Sequence, residues 1–324
     1  VNLYLGIDIG TSGVKAVIVD DAGTVLTDGH AALDVSRPRP LHSEQNPTDW
    51  WDATNAAVMA LDADLRGAVR AIGLAGQMHG ATLLGADDAP LRPAILWNDG
   101  RSAAECRALE AAVPMLRQIT GNCAMPGFTA PKLLWVRHHE PDIFAAIHKV
   151  LLPKDYVRLC MTGDYASDMS DSAGTLWLDV SARRWSDPLL QASGLSLDHM
   201  PTLYEGSEVT GRLRAETAAA WSMDRVPVVA GGGDNAAGAI GSGVVQKGDG
   251  FLSLGTSGVI FLADDAYRPY PDGGLHTFCH ALPDRWHQMA VMLSAASAID
   301  WVAGLCGFAD PTALYSAAES AGRT

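Results

Sequence analysis

Apolar residues gather in short runs separated by glycine and polar clusters, and these runs outline the elements. Leu3–Ile9, Val14–Asp20 and Thr24–Ala32 read as three consecutive antiparallel strands, the last two joined by the turn Asp20-Asp21-Ala22-Gly23. Pro38–Pro47 reads as a loop, and Thr48 is expected to cap a helix through Trp50, Trp51, Ala57 and Leu61. Val69–Ala75 and Ala81–Leu84 read as strands flanking the segment Gly76–Gly80. Another strand, Ala94–Trp97, ends in Asn98-Asp99-Gly100-Arg101, and helices dominate from Ser102 to Tyr165. Val226–Ala230, Gly231–Gly233 and Asp234 onward spell strand, glycine turn and helix; Phe251 opens a second set of strands, and Leu293–Gly307 reads as a helix. Strands mixed with helices in this order predict an α/β fold with mixed sheets.

One pentapeptide occurs twice. Gly10-Thr11-Ser12-Gly13-Val14 returns unchanged as Gly255-Thr256-Ser257-Gly258-Val259, each time between two apolar strand-like runs. Each copy reads as a tight hairpin turn, with glycine supplying the unusual backbone angles. Such a turn presents backbone N–H groups and two hydroxyls to an anion, and phosphate is the obvious candidate. Two distant copies suggest one nucleotide held between two related lobes. The polar stretch Gln246–Gly250 is the expected boundary, dividing 1–245 from 246–324. The second part is much the shorter, so a second lobe built like the first is expected to be incomplete.

Composition narrows the partners. Apolar residues make up 48% of the 324, charged residues 19%, and the net charge is −14. These values suit a globular protein with a sizeable core, and the acidic balance disfavours nucleic acid and acidic membranes. Cys106, Cys123, Cys160, Cys279 and Cys306 stand alone without a C-x-x-C pair, as expected in a reducing cytoplasm. No leader-like segment precedes the first strand, and no apolar run approaches the length of a membrane span.

Four segments carry candidate chemistry. In Asp8–Lys15, Asp8 ends the first strand, where it is placed to hold Mg²⁺ or its waters, while Gly10, Thr11, Ser12 and Lys15 face phosphate oxygens. An aspartate capping the turn is the competing reading, and the second copy of the turn favours phosphate. In Gly231–Gly238, Asp234 opens a helix behind three glycines. It either caps that helix or accepts a proton from an attacking hydroxyl; local sequence leaves both open. Gln77 and His79, between glycines in Gly76–Gly80, suit sugar hydroxyls, although the segment by itself favours a surface loop with a satisfied histidine. Trp97 and Asn98 end a strand where a ring stacks on a sugar face and an amide bonds a hydroxyl, or where the chain simply turns. His276-Thr277-Phe278-Cys279-His280 alternates like a strand and is read as one rather than as a metal cluster. Asp168–Ser172 is left between capping, cation binding and lining a cleft.

Together, the Asp–Gly-Thr hairpin, the Gly-Gly-Asp helix start and the second Gly-Thr-Ser hairpin resemble the sugar kinases of the FGGY family. The likeness covers essentially the whole chain. It sharpens at Ser43–Pro47, Gly76–Gly80, Leu96–Arg101, Met125–Lys132, Leu152–Tyr156 and Ser167–Asp171, toward bacterial members that act on D-xylulose. The resemblance implies the actin-like ATPase (ribonuclease H-like) duplicated two-lobe fold, and ATP-dependent, Mg²⁺-assisted phosphorylation of D-xylulose or a similar ketose at its 5-hydroxyl. It implies Asp234 as general base and Asp8 as the acidic residue near metal and γ-phosphate. Met78 and His79 fall on its sugar segment, Asn235 beside the base, and Gly255, Thr256 and Ser257 on its second phosphate loop. It also suggests a homodimer. Chains of that family run on past the point where this one stops, into a glycine-rich segment that packs on adenosine. An incomplete copy with little activity of its own is therefore expected. A kinase of ribulose, gluconate or glycerol, and a non-catalytic sugar binder on the same fold, are the alternatives. The Gln77-Met78-His79 segment favours xylulose.

Overall fold

Leu3–Ile9 (β1), Gly13–Asp20 (β2) and Val25–Ala32 (β3) form the antiparallel meander that their alternation predicts. In β1, Leu3, Leu5, Ile7 and Ile9 face the core, so a period of two matches one buried face. The computed structural model describes residues 1–255 and 257–322. Val69–Gly76 (β4) joins β1 in parallel. Val209–Arg212 (β5), Pro227–Val229 (β6) and the two-residue strand Gly232–Gly233 (β7) complete a seven-stranded mixed sheet. Its order is β5-β6-β4-β1-β2-β3, with β7 pairing β4.

Helix Pro47–Met59 (α1) packs on this sheet through Trp50, Ala53, Ala57 and Val58. Gly29 in β3 permits the approach: a Cβ there would lie 2.2 Å from the Ala57 carbonyl oxygen. The helix starts one residue before the expected cap. Asn46 is its N-cap and Pro47 its first residue, because proline lacks the N–H that would go unpaired there. Thr129–His139 (α2), Pro153–Thr162 (α3), Met169–Ala173 (α4) and Asp234–Gly241 (α5) bring further segments to the sheet's edge.

Gly250–Leu254 (β8), Gly258–Asp264 (β9), His276–Cys279 (β10) and Trp286–Met292 (β11) form a second, wholly antiparallel sheet in the order β8-β9-β11-β10. The strand reading of the His276 segment holds, and no group of three metal-ligating side chains occurs among the described residues. Phe261, Phe278 and Met289 share one core with Leu83, Phe128, Leu133 and Trp177. The repeated pentapeptide closes both hairpins, though in different registers. Ile9 faces Val14 in the first, whereas Leu254 faces Gly258 in the second. A slip of one residue reverses which side chains face which side of a sheet.

Candidate active site

Three chain segments leave the sheet side by side at the carboxyl ends of its parallel strands. Asp8 in β1 stands beside Ala75 in β4, which stands beside Gly232 in β7; Ile9, Gly76 and Gly233 form the next row. The first hairpin, the Gln77–Gly80 segment and the start of α5 follow. Ligands of open α/β sheets collect at this edge, beyond the strand ends.

The three glycines before Asp234 are required by close packing. Gly231 has φ +75°, and a Cβ there would come within 1.9 Å of the Leu74 carbonyl oxygen. A Cβ on Gly233 would sit 2.9 Å from the Met78 side chain, so Met78 is pressed against the backbone beside Asp234. Gly174 makes similar room for His79, whose ring a Cβ would meet at 2.5 Å.

Gly233 is the N-cap of α5, and Asp234 is its first helical residue, so the capping alternative for Asp234 is not the one realised. Its Oδ1 accepts from Asn235 N at 2.7 Å and from Asn235 Nδ2 at 2.9 Å. Asp234 is open to solvent on one side and surrounded by protein on the others. Burial pushes its carboxyl up to about 6 against the pull of the Asn235 hydrogen bonds, and the nearby Asp8 charge adds to the rise. Asp8 is itself raised by burial, with Lys15 opposing. Lys15 lies directly across the ladder from Asp8, and so on the same face of the sheet. The Asp8 Oδ1 is buried without a hydrogen-bond partner. An orphaned carboxylate oxygen beside a second carboxylate fits Mg²⁺, which takes one or two carboxylates and keeps waters and phosphate oxygens for the rest.

The hairpin's Thr11 hydroxyl is engaged within the protein. Its hydroxyl accepts from Trp97 Nε1 at 3.0 Å and donates to Gln77 Oε1 at 3.0 Å. Gln77 Nε2 reaches Gln45 Oε1 at 2.9 Å, and Gln45 Nε2 returns to the Thr11 carbonyl at 2.7 Å. Thr11, Gln77 and Trp97 thus tie the hairpin to the sugar segment from beneath, with Gln77 only 2% exposed. Ser12, Lys15 and Asn98 remain at the surface, and Gly10 N donates to Gly13 O at 3.0 Å to close the turn. On the second hairpin, Gly255 N donates to Ser257 O, and the Gly255 carbonyl accepts from Ala296 N, both at 2.9 Å. Thr256 lies outside the described residues.

His79 has a left-handed backbone, φ 69°, unusual for a residue with a side chain. Its Nδ1 contacts the Gly174 carbonyl at 2.6 Å. A carbonyl only accepts, so Nδ1 carries the proton and Nε2 keeps its lone pair. Burial, helped by Lys132, pushes the imidazole down to about 3. The ring is therefore a neutral hydrogen-bond acceptor at neutral pH. The His79 carbonyl accepts from Lys132 Nζ at 2.8 Å and from Thr129 Oγ1 at 3.2 Å. Lys132 is fully buried in α2, and burial holds its amine well below the ordinary lysine range. Lys132 escapes sequence reading as a site residue. Its one signal is a lysine inside the apolar stretch Leu133–Val136 and its neighbours.

Residues 3–241 match the FGGY family of carbohydrate kinases, N-terminal domain. Xylulose kinase from Escherichia coli (strain K12) is 61% identical over 320 residues, covering 98% of this chain and 66% of that protein. Xylulose kinase from Klebsiella pneumoniae is 58% identical over the same span. A solved xyloylose kinase from Brucella ovis superposes with a TM-score of 0.94 at 57% identity, over 97% of this chain and 65% of that one. The chain spans 66% of the length of the first two relatives. From the matched residues and the shared fold, the chain belongs to the FGGY family of carbohydrate kinases.

Proposed function

We propose that this site transfers the γ-phosphoryl group of ATP to the 5-hydroxyl of D-xylulose or a similar ketose. Asp234 takes the hydroxyl proton as the phosphoryl group arrives. A carboxyl pushed up to about 6 is ionised at neutral pH and still basic enough to share a proton in the transition state. Mg²⁺ would sit at Asp8 and neutralise charge on the phosphate oxygens. Met78, His79 Nε2, Asn98 and Asn235 contact the sugar. Gly10, Ser12 and Lys15, with Gly255, Thr256 and Ser257 of the second hairpin, contact phosphate. Thr11, Gln77 and Trp97 hold the two loops in register.

The observation that carries this reading is the pairing of Asp234 with the orphaned Asp8 oxygen, beside Met78 and His79 at the strand ends. The relatives' name, xylulose kinase, favours the ketose over gluconate or glycerol. The reading divides the chain at 245/246, where one sheet gives way to the next. A reducing, cytoplasmic setting is supported by five unbridged cysteines, and a homodimer follows from the family likeness.

Calorimetry with D-xylulose, D-ribulose, gluconate and glycerol, together with a coupled MgATP assay, tests the reading. D-Xylulose should bind tightest. Asp234→Ala should lower turnover by about 10²–10⁴-fold while changing sugar affinity less than about tenfold. Tighter gluconate or glycerol binding would reassign the substrate, and undiminished turnover in Asp234→Ala would remove the general base.

A further inference from the structure

Beneath Asp234 lies a buried polar cluster that the phosphoryl-transfer reading does not use. Lys154, Asp155, Asp168, Ser170 and Asp171 are all 0% exposed. Lys154 Nζ lies 2.5 Å from Asp155 Oδ1, 2.7 Å from Asp168 Oδ1 and 3.3 Å from Asp171 Oδ2. Burial works against the Lys154 charge, yet the three carboxylates hold its amine above the ordinary lysine range. Burial pushes the Asp171 carboxyl upward, against the pull of Lys154.

The cluster ends at the catalytic helix. Asp168 is the N-cap of α4, and its Oδ2 accepts from Ser170 N at 2.7 Å and from the Ser170 hydroxyl at 2.5 Å. With its proton committed to Asp168, the Ser170 oxygen is left as an acceptor. It receives the Gly233 N–H at 3.1 Å. Gly233 is the N-cap of α5 and the residue before Asp234. The same cluster braces the sugar segment. A Cβ on Gly76 would lie 3.1 Å from Lys154 Cβ, and one on Gly80 would lie 2.5 Å from Pro153. The starts of α3, α4 and α5 therefore lock together under the cleft.

We propose that Ser170, oriented by Asp168 and through it by Lys154, is a positioning residue that fixes Asp234 by holding the Gly233 N–H. This rests on the reading of Asp234 as the proton acceptor. Asp8 and Lys15 are the other charged groups named for the site, and neither touches Gly233. Without the Ser170 hydroxyl, the first turn of α5 is free to move Asp234 away from Asp8 and toward water. Both changes lower its affinity for a proton.

The test is a ¹³C NMR pH titration of Asp234, its signal identified by its loss in Asp234→Asn. It is run on the wild type, Ser170→Ala and Ser172→Ala, with D-xylulose affinity measured by calorimetry. Ser172 is the control, because it sits buried on the same helix but bonds Ser167 instead, at 2.9 Å. In Ser170→Ala the Asp234 midpoint should fall by about one pH unit or more, toward the ordinary carboxylate value. Sugar affinity should change by less than about tenfold, no more than in Asp234→Ala. Ser172→Ala should leave both at wild-type values. An Asp234 midpoint in Ser170→Ala equal to wild type, or an equal shift in Ser172→Ala, would overturn the proposal. Should the wild type fail to bind D-xylulose, the kinase reading fails, and the titration still decides what Ser170 does.

Discussion

Two carboxylates, one imidazole and one buried amine carry the proposed chemistry at the scale of residues. Asp234 must be ionised to accept a proton, so kcat/KM for the sugar should rise with pH through about 6 and level off above it. A rate profile without that limb would separate Asp234 from catalysis. The same shift has a cost in stability. The folded carboxyl holds its proton more tightly than the unfolded one, so its stabilising effect is present below about pH 4 and lost as pH rises through about 6. Asp234→Asn should therefore melt higher than wild type at pH 7.5, with the gain shrinking at pH 4. Equal melting temperatures at both values would contradict this. Lys132→Met removes the donor that holds the His79 carbonyl at a strained backbone angle. It should weaken D-xylulose binding by about tenfold, measured by calorimetry, about the worth of one such hydrogen bond. Asp8 and Asp234 stand out in the sequence near glycine turns that end strands, while their proposed roles come from the family likeness. The Thr11 hydrogen bonds are silent in the sequence for a physical reason. Its hydroxyl is claimed by Trp97 and Gln77, which only the fold brings to it.

Glycine decides how closely the elements approach. Gly231 combines φ +75° with a hypothetical Cβ 1.9 Å from Leu74 O, so Gly231→Ala must break the contact between β4 and the chain entering α5. Backbone strain and overpacking together should lower stability by about 2–4 kcal/mol, read as a shift in the urea midpoint. Gly233→Ala meets only the flexible end of Met78, so it should unfold nearer to wild type and lose sugar affinity instead. Equal destabilisation by the two variants would show that the Met78 contact has no special role. The long strands β1 and β2 are plain in the sequence, because one face is buried and alternation records it. Two-residue strands such as β7 leave no such record, since their partner rather than their own pattern defines them. The one-residue difference between the two hairpins is equally silent, because the pentapeptides are identical and the strands around them set the register.

Across the whole molecule, one core runs from Ala81 to Met289 and joins the helices beside the cleft to the second sheet. Its histidines make that core sensitive to acid. Burial pushes His276, His280 and His287 below the ordinary imidazole value, and His79 to about 3. Their folded values are depressed, so the unfolded chain takes up protons first. The stability they allow is present above about pH 6.5 and lost as pH falls below it. The urea midpoint should therefore fall between pH 7.5 and pH 5, outweighing the smaller opposite trend from Asp234. A flat or rising midpoint would mean these rings take up protons without unfolding. Sequence alone reads His276 and His280 as parts of one strand and no more, because burial on a shared core is a property of the assembled sheets.

A structure of the protein with D-xylulose bound is the most direct measurement. The 5-hydroxyl oxygen should lie within about 3.2 Å of an Asp234 carboxylate oxygen, with other sugar oxygens on His79 Nε2 and Asn235. A sugar seated away from Asp234, or an Asp234 side chain turned back to cap its own helix, would contradict the assignment.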